Sequence, residues 1–328
     1  MFHRQDRSAS PVVLATLVAA ALVVGCDTGS GGAGAGAEAG GDADTARIAA
    51  QLDPAAVARI EPGDGGEAAR DAALQTLPVR HDTDTTWAWQ LQGEIDLAHG
   101  ANVQVIDLFA HLDGRVQAEL DALGRDAFCY FSVGTFEPWR PDADLFDASS
   151  LGAPHALYPD ERWLDVTDPA VVRLMVNRLD MARAVGCDGV ELDNVDAYLE
   201  ANETGLDIDA ADQVRFARIL ANEARSRGLH VALKNAPDLV PELVAWFDLS
   251  IVEECFEFDE CEAYLPMVRA GRPVFVAEYR LFDADGNPLP VDSVEGRAAL
   301  CAKADALDVR ALLLPVELDG SFRFACDD

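Results

Sequence analysis

The sequence predicts an α/β protein folded as a (β/α)8 TIM barrel, and three observations carry that prediction. Eight short, apolar, β-branched segments recur between Thr86 and Val316. Most are separated by stretches of helical periodicity, the pattern of parallel strands joined by crossover helices. Together the units occupy about 240 residues, the usual span of one barrel. The competing architecture is an open doubly wound sheet. It lacks support because no Gly-x-Gly-x-x-Gly follows the first strand, and no phosphate-cradling glycine loop occurs elsewhere.

Taken in order, the chain opens outside this pattern. His3, Arg4 and Arg7 precede an apolar run from Pro11 to Val24, shorter than a membrane-spanning helix and suited to a signal sequence. The run ends Val-Val-Gly-Cys, which resembles a bacterial lipobox. Residues 1–25 are therefore expected to be a lipoprotein signal peptide, with Cys26 lipidated and the protein exported and lipid-anchored to the bacterial cell envelope. Residues 26–80, rich in Gly, Ala and Asp, are expected to form a flexible tether. The barrel is expected over 81–328.

Within it, Thr86–Leu91 and Val103–Phe109 read as strands, Val116–Leu123 as a helix, and Ala127–Val133 as the third strand. A loop rich in Pro, Trp and Asp leads to Val166. Asp168 then caps a helix over Pro169–Ala184, with proline at its first position. Strands follow at Gly189–Asn194, His230–Asn235, Leu249–Cys255, Pro273–Tyr279 and Val309–Val316. Helices are expected at Ala210–Arg227, Asp238–Trp246, Glu260–Ala270 and Val294–Leu307.

The formal net charge of −33 argues against a nucleic-acid partner and favours cationic ligands. Six cysteines remain besides Cys26. Cys255 with Cys261 and Cys301 with Cys326 are the suggested pairs, while Cys129 and Cys187 are compatible with a disulfide or with buried thiols. No metal-ligand spacing stands out, no cofactor is expected, and a monomer is expected.

A barrel concentrates function at the C-terminal ends of its strands. Those ends supply Gln90, Asp107, Ser132, Asp193, Asn194, Asn235, Glu253, Glu254, Glu278 and Tyr279, with Lys234 the one clear cation. Such a ring of acids could bind a metal, transfer protons or grip a cationic sugar. Paired carboxylates suit glycosidic cleavage, in which one group protonates the leaving oxygen and the other attacks or activates water. Trp87, Trp89, Tyr130, Trp139, Tyr198 and Tyr279 are candidate sugar-stacking aromatics, though ordinary packing would explain each equally well.

At these residues the chain resembles glycoside hydrolase family 114, the endo-α-1,4-polygalactosaminidases. The resemblance is carried by Trp87-Ala-Trp-Gln-Leu, Cys129-Tyr-Phe-Ser-Val-Gly, Trp139-Arg-Pro-Asp-Ala, Glu161-Arg-Trp-Leu-Asp, Gly186-Cys-Asp-Gly-Val-Glu-Leu-Asp-Asn-Val-Asp-Ala-Tyr, Leu233-Lys-Asn and Glu253-Glu-Cys-Phe-Glu. It implies a barrel enzyme cutting within α-1,4-linked galactosamine chains, with retention of configuration. It implies Asp193 as nucleophile or charge stabiliser and Glu253 as general acid/base. Alongside these, Trp87, Gln90, Asp107, Tyr130, Asn194, Asp196, Tyr198, Lys234, Asn235, Glu257 and Tyr279 are expected to meet a cationic amino-sugar polysaccharide. Lys234 is expected to orient a catalytic carboxylate. Strand alternation lets only one of Glu253 and Glu254 face inward. The alternative function is an amino-sugar-binding lipoprotein without turnover.

Overall fold

The computed structural model describes Leu74 and residues 76–327. The expected signal peptide, Cys26 and nearly all of the expected tether lie outside these residues. Eight strands run parallel in sequence order: β1 (Trp87–Trp89), β2 (Val103–Asp107), β3 (Asp126–Ser132), β4 (Gly189–Asp193), β5 (His230–Lys234), β6 (Leu249–Glu253), β7 (Val274–Glu278) and β8 (Arg310–Leu313). A ninth, β9 (Phe324–Ala325), adds antiparallel to β8. The described helices are α1 (Arg115–Ala122), α2 (Pro169–Val185), α3 (Ala210–Ser226), α4 (Val240–Leu243), α5 (Leu265–Arg269) and α6 (Val294–Leu307). The expected eight-stranded parallel architecture is thus present, as a curled sheet with a seam. Among the described residues no ladder joins β1 to β8. The seam is crossed instead by Trp87 Nε1, which donates to the Arg310 carbonyl at 3.0 Å, and by the Leu91 and Gln92 N–H groups, which reach the Leu318 carbonyl at 2.9 and 3.2 Å.

Period-two alternation sorts the apolar residues into two cores. Trp87, Val105, Phe128, Ile251, Phe275 and Leu312 fill the barrel interior. Ile106, Phe131, Leu192, Leu233, Val252 and Leu313 face outward under the helices. The two long helices have the expected ends. Asp168 accepts from the Ala170 N–H ahead of α2, and Asp209 with Asp212 forms a capping box ahead of α3.

Three disulfides are present: Cys129–Cys187, Cys255–Cys261 and Cys301–Cys326. The first resolves the open choice at Cys129 and Cys187, and ties β3 to the turn that starts β4. The loop expected between Gly134 and Val166 holds a small antiparallel sheet of Thr135–Phe136, Leu151–Pro154 and Arg162–Leu164. At the opposite, N-terminal face, packing begins before the expected domain start. Arg80 bridges Asp126 and Asp188, and buried His81 lies 2.7 Å from Asp126 and stacks edge-on against Phe128 and His230.

Candidate active site

The inward parity of the barrel core continues to the strand ends, where it changes from apolar to ionic. Asp193 ends β4, Lys234 ends β5 and Glu253 ends β6. The Lys234 ammonium lies between the two acids. It donates to Asp193 Oδ1 at 3.1 Å and to Glu253 Oε2 at 2.5 Å. It also sits 5.1 Å above the Trp89 ring centroid, a favourable cation–π position. Burial alone would depress its pKa. Asp193 and Glu253 outweigh burial and hold it well above the ordinary lysine value.

Each acid has further donors. Tyr130 Oη donates to Asp193 Oδ2 at 3.0 Å, and Asn194 Nδ2 reaches the same oxygen at 3.2 Å. Tyr279 Oη donates to Glu253 Oε1, and Asn235 Nδ2 lies 3.3 Å from Oε2. Burial and the Glu253 charge raise the Tyr279 pKa, so its phenol remains a donor. Asn235 also accepts from the Glu253 N–H at 2.9 Å, which fixes the backbone under that side chain. Asn194, Asn235 and Glu254 follow the three inward residues and all have left-handed φ, at 59°, 46° and 53°. The chain thus turns sharply after each strand delivers its group. Gly134 abuts the Asn194 carbonyl so closely that a Cβ there would collide with it.

Of the two glutamates, Glu253 faces the site. Glu254 turns away to Arg280 at 3.4 Å, and Glu257 pairs with the same guanidinium. Asp107 is likewise neutralised, by Arg140 at 2.8 and 3.0 Å, and Arg140 also binds Glu137. The expected free acids at 107 and 257 are therefore ion-paired. Trp87 does not reach the mouth. It is fully buried lower in the barrel, stacked on Phe275 at 4.9 Å. Gln90 is also buried, its amide spent on the Gln92 and Glu94 carbonyls and the Asp96 N–H. Asp196 is bound by Asn202, and burial raises its pKa. Half-buried Tyr198 has its pKa pushed up to about 12 by burial and by Asp238 and Asp196. Trp139 is exposed.

Glu191, one step below Asp193 on the same face, is wholly buried. Burial raises its pKa well above the carboxylate range, and Asp193 and Glu253 push the same way against Lys234. This favours the uncharged acid. Arg140, Tyr158 and Glu161 were not among the expected site residues, although Arg140 and Glu161 lie in two of the segments that carry the family resemblance. Tyr158 is largely exposed, and its phenol is raised by partial burial and then by the charges of Glu253 and Asp193. Its ring stacks on His155 at 5.3 Å. Glu161 Oε2 accepts from Thr135 Oγ1 at 2.7 Å. The aromatic, charged composition of the 134–166 loop was the available signal, but it has no periodicity to say which side chains turn inward.

Known proteins resemble this chain at several levels of likeness. The model of glycoside-hydrolase family GH114 matches residues 67–328. The crystal structure of Aspergillus fumigatus Ega3 in complex with galactosamine superposes with a TM-score of 0.71 at 36% identity, over 77% of this chain and 100% of that one. The glycoside hydrolase domain of PelA from Pseudomonas aeruginosa matches with a TM-score of 0.55 at 19% identity, over 72% and 96% of the two chains, a likeness of fold alone. An uncharacterised Deinococcus radiodurans protein is 30% identical over 205 residues, 59% of this chain, and the chain spans 64% of that relative's length.

Proposed function

The chain belongs to glycoside-hydrolase family GH114, and from that premise we propose that it hydrolyses α-1,4 bonds within galactosamine-rich polysaccharide, with retention of configuration. The observation that carries the reading is the Lys234 bridge between Asp193 and Glu253. Both carboxylates hydrogen-bond one Nζ, at 3.1 and 2.5 Å. Their bridged oxygens therefore lie no further apart than the sum of those lengths. That closest approach of the two groups favours the shorter spacing of a retaining pair, about 5–5.5 Å between carboxyl groups, over the roughly 6.5–9.5 Å an inverting pair leaves for water.

In the proposed reaction Asp193, the less exposed acid with a side chain 16% accessible, attacks the anomeric carbon. Its charge is held in place by Tyr130, Asn194 and Lys234. Glu253, 27% accessible, gives its proton to the departing glycosidic oxygen. It then takes a proton from the water that hydrolyses the glycosyl-enzyme. The complex of Ega3 with galactosamine supports the amino-sugar assignment.

Purified protein should release oligomers from deacetylated polygalactosamine. Asp193→Asn and Glu253→Gln should each lower kcat by roughly 10²–10⁴ with little change in Tm. Cleavage by either variant at the wild-type rate would sink the assignment, and an inverted first-formed anomer, seen by NMR, would sink retention. The basic, apolar, Gly-Cys start supports attachment to the cell envelope through a lipid on Cys26. Mass spectrometry of the membrane fraction, with Cys26→Ser as the control, tests that assignment.

A further inference from the structure

The net charge suggests a cleft lined with free acids, but most acids at the mouth already hold a cation. Asp107 and Glu137 share Arg140. Glu254 and Glu257 share Arg280. Asp193 and Glu253 share Lys234. Glu161 differs. Among the described residues it has no Lys or Arg partner, and its side chain takes one hydrogen bond, from Thr135 Oγ1 at 2.7 Å. The adjacent Arg162 is spent on the Gly152 and Leu151 carbonyls.

Glu161 is nevertheless wired to the centre of the site. Thr135 Oγ1 lies 2.6 Å from Ser132 Oγ, which accepts from Asn194 Nδ2 at 2.9 Å, and that amide touches Asp193. The carboxyl is only partly buried, and it lies in the same loop as exposed Tyr158, whose phenol feels the charges of Glu253, Asp193 and Glu161. Among the described residues Asp196 also has no Lys or Arg partner, but Asn202 of its own loop binds its carboxylate and it is the more deeply enclosed.

We propose that Glu161 is the specificity residue that recognises the ammonium group of a deacetylated amino sugar, and so sets the preference for the cationic over the N-acetylated polymer. This rests on the amino-sugar hydrolase reading above. A half-exposed carboxylate with one oxygen fixed and no resident cation has an open position for a charge-assisted hydrogen bond. An acetamido group offers neither the charge nor the three donors of an ammonium. Burial, with Glu137 and Asp193 nearby, raises the Glu161 pKa to about 7, while Thr135 and Arg140 oppose the rise. Its charge is therefore present above neutrality and lost as pH falls through about 7. An ammonium arriving there would lower that pKa and release a proton.

The test compares wild type with Glu161→Gln and Glu161→Asp on deacetylated and N-acetylated polygalactosamine. Glu161→Gln should raise KM for the deacetylated polymer roughly tenfold or more, and by a clearly larger factor than KM for the acetylated polymer. Glu161→Asp should recover part of the loss. In wild type, KM for the cationic polymer should climb below about pH 7, and Glu161→Gln should flatten that limb. An unchanged KM ratio, or equal loss on both polymers, overturns the proposal. If Glu161→Gln does not fold, calorimetry on wild type decides. Its preference for galactosamine over galactose must shrink between about pH 7.5 and about pH 5.5, and an undiminished preference overturns the proposal. Wild type that cleaves neither polymer defeats the hydrolase reading, and the same calorimetric comparison still judges Glu161.

Discussion

Lys234 is the residue on which the site's electrostatics turn. It is 4% exposed and sits between two carboxylates that would otherwise face each other across a partly dry mouth. Replacing it with Met leaves two like charges with no cation between them. We expect Lys234→Met to lose about 3–5 kcal/mol of stability at neutral pH, as happens when one member of a buried pair is removed. A denaturant midpoint equal to wild type would contradict this. Asp193, Glu253 and Lys234 were legible in the sequence because each ends an apolar run, where a charge is conspicuous. The partners of Asp107 and Glu257 were not. Arg140 and Arg280 lie 33 and 23 residues away in chain order, and only the folded loops bring them in.

At the scale of elements, β3 and β4 form the support of the site, since they carry Tyr130, Ser132 and Asp193 side by side. The Cys129–Cys187 disulfide fastens this pair on its outward face, and Cys187 lies two positions before the start of β4. Replacing both cysteines with Ala should cost about 2–4 kcal/mol and leave the inward hydrogen bonds to Asp193 intact. Thermal melts, with and without reductant, would measure it, and a wild-type Tm indifferent to reductant would contradict the expectation. Strand and helix positions were largely legible, because runs such as Val-Gln-Val-Ile-Asp and the proline-led α2 carry strong local signals. The small sheet between Thr135 and Leu164 was not, since its strands have two to four residues and too little alternation to reveal a period. Trp87 shows a different limit. Its inward parity was readable from β1, but its depth in the barrel was not, because depth depends on the register with β2 and on Phe275 across the interior.

Over the whole molecule, the two ends of the barrel do different work. The mouth holds the acids and their cations, while the floor is closed by the chain that precedes β1. Arg80 and His81 were assigned from sequence to a tether and its border, yet they bind Asp126 and Asp188. A variant starting at Asp82 should therefore melt below one starting at Leu74. The expected loss is about 1–3 kcal/mol for stripping partners from buried polar groups, and equal melting would show the strap to be dispensable. The strap also determines where mechanical load enters the protein. A pull on the N-terminal segment is received by Asp126 and Asp188, which begin or directly precede β3 and β4 in the middle of the sheet. The unladdered side of β1 lies at one end of the sheet, so the pull enters away from it and at the barrel face opposite the strand ends that carry Asp193, Lys234 and Glu253.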